Sequence, residues 1–126
     1  MTKIGIDFHG VLDTYTDFFM GVSEMAKKHG MEIHVITGTP FSRLEDWFVK
    51  RDFFYTHFYS ITDDFLARGY EHKYINGAGP FFADYWWYKA KADYCLENGI
   101  DLMYDNDMRY LSLFQTPYIL VGKDEK

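Results

Sequence analysis

The sequence predicts an α/β fold built on a parallel sheet. Three observations carry that expectation: short apolar runs alternate with stretches of helical period, polar residues stand directly after several of those runs, and 126 residues are enough for one domain with a modest core.

The first strand is Lys3–Asp7, where an apolar run stops at a carboxylate. A helix follows from about Thr16, with Phe19, Val22, Met25 or Ala26, and His29 on one face and Gly30 as its stop. "MEIHVITG" is the second strand, ending at Thr37-Gly38, and Pro40 with Ser42 opens a second helix whose buried stripe is Leu44, Trp47 and Phe48. "THFYSIT", Thr56–Thr62, alternates like a third strand. From Asp63 to Pro80 three glycines and a proline interrupt any period, so the region up to about residue 83 reads as a long loop or flap. A third helix runs from about Asp84 to Asn98 with Gly99 as its end. "IDLMYDND" is a fourth strand stopping at acidic residues, "TPYILVG" (Thr116–Gly122) a fifth, and "KDEK" a solvated end. No repeat, low-complexity segment or linker divides the chain, so residues 1–126 read as a single domain.

Composition narrows the partners. A net charge of -6 argues against a broad nucleic-acid-binding surface and points to a small partner. Cys95 is the only cysteine, which excludes an internal disulfide framework and a cysteine metal cluster and fits a reducing compartment. No run approaches the roughly 20 apolar residues of a membrane span, and the start lacks the apolar stretch of a signal peptide. The expectation is a soluble cytoplasmic protein without a membrane partner. Aromatic residues make up 21% of the chain and are densest in "FFADYWWY", Phe81–Tyr88, where they serve either as core and interface filler or as a surface for stacking a planar ligand.

Asp7 and His9 follow the first strand, Thr37 the second, and Asp105 with Asp107 the fourth, all at the sheet edge where open parallel sheets bind ligands. Two separated aspartates at one edge suit a hard divalent cation such as Mg²⁺. A carboxylate can also attack phosphorus, a threonine hydroxyl can hold a phosphate oxygen, and a lysine can balance the charge of the transferring group. The chemistry indicated is phosphate-ester cleavage. The remaining histidines, His29, His34, His57 and His72, show no metal-ligand spacing and are expected at the surface or half-buried.

"DFHGVLDT" resembles the first motif of the haloacid dehalogenase superfamily, "VITG" its second, and "KADYCLENGIDLMYDND" its third and fourth, particularly in small nucleotidase-like members. The resemblance runs in order along nearly the whole chain. It implies a Rossmann-like three-layer domain with about five strands in the order 3-2-1-4-5. The region between Thr37 and Lys91 is too short for a large cap.

By the same resemblance Asp7 is the nucleophile and a metal ligand, Thr37 the phosphate-oxygen donor with Gly38 beside it, Lys91 the cation steadying nucleophile and phosphoryl group, and Asp105 the second metal carboxylate. Lys89 rivals Lys91, and Asp107 rivals Asp105. Asn106 can hold a metal-bound water, and Asp13 orders the loop after the first strand. His9 stands where the family's phosphatases carry their acid/base aspartate. Its metal contact would come from the backbone carbonyl, and its imidazole can exchange protons near neutral pH. The implied activity is Mg²⁺-dependent phosphatase action on a small phosphorylated substrate, a nucleotide or a nucleic-acid end, with Tyr74, Phe81, Phe82, Trp86 and Trp87 available to stack on a base. The alternative is a catalytically weak binding or regulatory protein, because of His9.

Overall fold

The computed structural model describes residues 1–122. The "KDEK" tail read as a solvated end lies outside them. In chain order the elements are β1 (Lys3–Ile6), α1 (Thr16–His29), β2 (Glu32–Thr37), α2 (Phe41–Arg51), β3 (His57–Ser60), α3 (Ile61–Ala67), β4 (Lys73–Ile75), β5 (Ala78–Phe81), α4 (Asp84–Glu97), β6 (Leu102–Asp105), α5 (Met108–Leu111) and β7 (Tyr118–Leu120).

Five strands form one sheet in the order β3-β2-β1-β6-β7, with every pairing parallel. Counted among the sheet strands alone, this is the order 3-2-1-4-5. The central strands are apolar on both sides because both faces are covered. Ile4, Ile6, Ile33 and Val35 pack with Phe19 and Ala26 of α1 and Leu44 and Phe48 of α2. Ile36 and Met103 pack with Cys95 of α4 and with Ile100.

Several elements, α5 among them, differ from the sequence reading. The buried stripe of α1 is Phe19, Ser23 and Ala26, a spacing of four and three, while Met25 and His29 are exposed. The region read as a loop holds α3 and an antiparallel hairpin, β4-β5, set apart from the main sheet. Helix α3 starts inside what read as the third strand. The Ser60 hydroxyl caps it by accepting from Asp63 N at 3.1 Å, and Ile61 and Phe65 pack toward Ala90. The hairpin turns at Asn76-Gly77, both at positive φ, the conformation that an Asn-Gly pair between two strands favours.

Among the described residues, no helix is long and apolar enough to cross a membrane.

Candidate active site

Asp7 directly follows β1 and still donates its backbone N–H to Tyr104 O at 3.0 Å, so its side chain is held by the sheet. The chain then coils tightly. Leu12 N donates to Asp7 O at 3.2 Å and Asp13 N to Phe8 O at 3.1 Å, while Phe8, Val11 and Leu12 are buried as anchors. Gly10 sits at φ +78°, and a Cβ there would collide with the Asn106 side chain. Glycine is thus required where the loop after β1 meets the loop after β6. Asp13 Oδ1 accepts from Gly10 N at 2.8 Å, and its Oδ2 lies 3.4 Å from His9 Nδ1.

Lys91, on α4, is 2% exposed, and its ammonium donates to Asp7 Oδ1 at 3.0 Å and Asp105 Oδ2 at 2.8 Å. It also lies 4.1 Å from the centre of the Tyr110 ring. Burial alone would push this lysine down, but the charges of Asp7 and Asp105 outweigh it and hold the ammonium above the ordinary lysine range. Burial pushes Asp7 up to about 7, against the pull of Lys91 and with Asp105 adding to the rise. Lys89, the rival lysine, is on the outer side of the helix, 3.9 Å from Asp93 and 5.8 Å from the centre of the Tyr85 ring.

Asp7, His9, Thr37, Gly38, Trp87, Lys91 and Asp107 all line one pocket of about 640 Å³ at the carboxyl edge of the sheet. Thr37 is buried, and its Oγ accepts from Thr39 N at 3.2 Å, a bond that leaves the hydroxyl proton available to donate. The Thr62 hydroxyl donates to Gly38 O at 2.6 Å and fixes the turn after β2. Trp87 lies against Gly38 and donates Nε1–H to Tyr110 OH at 2.8 Å, bracing the ring that supports Lys91. His9 lines the same pocket with 61% of its side chain exposed.

Comparison with family models, curated proteins and solved structures finds no match. The chemistry of the site therefore rests on its own geometry.

That geometry separates the two acidic residues at the end of β6. Asp105 is fully buried and spends one oxygen on Lys91 and the other on the N–H groups of Asn106 and Asp107, at 2.7 and 3.1 Å. It anchors the lysine and is not among the residues that line the pocket. Asn106 and Asp107 do line it. Asp107 caps α5 and grips Arg109, with its Oδ2 2.6 Å from Nη2. Burial pushes Asp107 up, but Arg109 outweighs that and holds its carboxyl below the usual range. Trp86 is outside the pocket lining, half exposed and against Tyr85 and Tyr70, because helical geometry turns it away from Trp87. Phe81 and Phe82 line the pocket, whereas Tyr74 does not.

Sequence reasoning missed Arg43, Tyr88, Arg109 and Tyr110, which also line the pocket. Arg109 and Tyr110 had a signal: they stand two and three residues after "DND", within the first turn after a strand that ends at the site.

The donors suit a hard cation. Asp7, Asn106 and Asp107 present oxygen atoms to one pocket without a thiol among them. Among the described residues, the ion pairs of Asp7, Asp105 and Asp107 run to Lys91 and Arg109. The upward displacement of Asp7 comes chiefly from its burial, with the charge of Asp105 adding to it, and a divalent cation beside the carboxylate would oppose both.

Proposed function

We propose that this chain is a phosphatase of the haloacid dehalogenase type, hydrolysing a small phosphate monoester with Asp7 as nucleophile and Mg²⁺ as cofactor. The observation that carries the reading is the buried Lys91 ammonium bridging Asp7 and Asp105 at the floor of a pocket that also holds Thr37 and His9. Asp7, Asn106, Asp107 and the His9 carbonyl would hold the Mg²⁺, whose charge would offset that of the phosphoryl oxygens.

In the first step an Asp7 oxygen bonds to phosphorus, the bond from phosphorus to the ester oxygen breaks, and protonated His9 gives its proton to the departing oxygen. Water then attacks the phosphorus of the aspartyl-phosphate and loses a proton to His9. The bond from phosphorus to Asp7 breaks, which frees phosphate and restores the carboxylate. Lys91 orients Asp7 and balances charge on the transferring group, Thr37 donates to a phosphoryl oxygen, and Asp13 steadies the His9 ring. Phe81, Phe82, Trp87 and Tyr88 line the pocket, with Arg43 and Arg109 among them. A planar, anionic substrate such as a nucleotide fits that combination.

A second reading, a regulator that holds cation and phosphate without turnover, is favoured by His9 alone, which replaces the family's acid/base carboxylate and is 61% exposed. Hydrolysis of an aryl phosphate with and without Mg²⁺ decides between them. The phosphatase gives Mg²⁺-dependent release, together with phosphate trapped on Asp7 after a quench. The regulator gives neither.

A further inference from the structure

At the opposite, amino-terminal end of the sheet, three potential ligands converge that are scattered in the sequence. Glu32 and His34 lie two residues apart on β2 and so share a face, and parallel pairing sets His57 of β3 opposite His34. Glu32 Oε1 is 2.7 Å from His34 Nε2 and 3.8 Å from His57 Nδ1, and one ligand atom from each residue falls within 4.8 Å of the others. The absence of ligand spacing among the histidines in the sequence is thus made good by strand pairing. His34 is also buried rather than half-exposed, because Glu32 and the Tyr94 hydroxyl, 2.7 Å from Nδ1, satisfy both ring nitrogens.

We propose that Glu32, His34 and His57 form a second cation site, selective for a borderline divalent metal of the zinc type, independent of the phosphatase reading. Two imidazoles and one carboxylate are a donor set that zinc favours and magnesium does not, and three protein ligands leave a fourth position for water. Zinc bonds of about 2.0–2.2 Å set tetrahedral ligands roughly 3.3–3.6 Å apart. The Glu32–His57 separation is already close to that, and the Glu32–His34 contact must open slightly.

The two rings are stacked, with centroids 4.1 Å apart and planes within 4°, so their lone pairs lie in separate, parallel planes. His57 must therefore turn out of the stack to share an ion. It is 49% exposed, and turning costs it the contact between Nδ1 and the Thr56 hydroxyl, 2.9 Å away. Tyr94 supplies the outer support that a metal-bound histidine needs. In the metal-free neutral ring Nε2–H donates to Glu32 and Nδ1 accepts from Tyr94. Binding moves the ring proton to Nδ1, and the phenol oxygen becomes its acceptor.

The test is a titration of the tag-free, metal-stripped chain with Co²⁺ in excess Mg²⁺, followed by displacement with Zn²⁺. One equivalent of Co²⁺ giving visible ligand-field bands that Zn²⁺ abolishes is the expected result. His57→Gln, an exposed change that spares the core, should loosen binding at least about tenfold, and Tyr94→Phe by about 10–100-fold. Asp7→Asn should leave it unchanged. Absence of bands in the wild type overturns the site, as do bands that survive both His57→Gln and Glu32→Gln or that vanish in Asp7→Asn.

Discussion

Lys91 Nζ lies 3.0 Å from Asp7 Oδ1, with both side chains drawn out of solvent although 84 positions separate them in the chain. The same ammonium holds Asp105, so one lysine ties α4 to the ends of β1 and β6. A contact that joins three elements is both structural and chemical, and substitutions around it should separate the two roles.

Lys91→Ala leaves two buried carboxylates facing each other. Removing one partner of a buried pair costs about 3–5 kcal/mol. Urea denaturation should show a loss of that order together with loss of phosphatase activity, whereas Lys89→Ala should stay within about 0.5 kcal/mol of the wild type.

Asp105→Asn and Asp107→Asn should differ in kind. Asp105 anchors Lys91, so its loss should lower the maximal rate without moving the Mg²⁺ concentration for half-maximal activity. Asp107 faces the pocket, so its loss should raise that concentration by about tenfold or more. The reverse pattern in a Mg²⁺ titration would place the metal carboxylate at Asp105.

The metal-free protein should lose stability through Asp7 as pH rises. Its carboxyl goes from an ordinary 3.8 to about 7 on folding, so the folded state binds the extra proton and this contribution is full below about 3.8 and gone above about 7. Wild type minus Asp7→Asn melting temperatures should therefore fall between pH 5 and pH 8. Added Mg²⁺ should stabilise the wild type more at the higher pH. A flat difference would mean Asp7 is ionised throughout.

His9→Ala should slow both proton transfers by about 10²–10⁴-fold on esters with poor leaving groups and least on those whose leaving group needs no proton. Phosphate should then persist on Asp7 long enough for mass spectrometry after a quench. His9→Asp should keep turnover and change its dependence on pH. Activity that exists only in His9→Asp would make the histidine a brake and favour the regulator.

Trp87→Ala should alter discrimination among phosphate esters and reduce stability, because the ring braces Gly38 and Tyr110. Trp86→Ala should change neither selectivity nor the rate on a small aryl phosphate, since its ring is outside the pocket. Steady-state kinetics on a nucleotide and an aryl ester, compared for both variants, checks the distinction.

The sequence by itself determined the sheet strands, their order of appearance and the positions at which polar residues end them. A strand covered on both faces has to be apolar, and its apolar run must stop where the edge meets solvent, so "KIGID", "HVITG" and "LMYDND" announce both strand and site. Local signals also existed for the hairpin, in Asn76-Gly77, and were masked by the neighbouring glycines and proline. Only the tertiary structure decided which member of each close pair does what. Lys89 and Lys91 are two positions apart on α4, and a helix turns about 200° over that distance, so one is buried against Asp7 and the other lies in solvent. Asp105 and Asp107 are parted by the change from strand to helix cap, which sends one carboxylate to Lys91 and the other to Arg109. Glu32, His34 and His57 meet because parallel pairing sets β3 beside β2, a register that comes from packing two strands together and leaves no spacing in the chain to read.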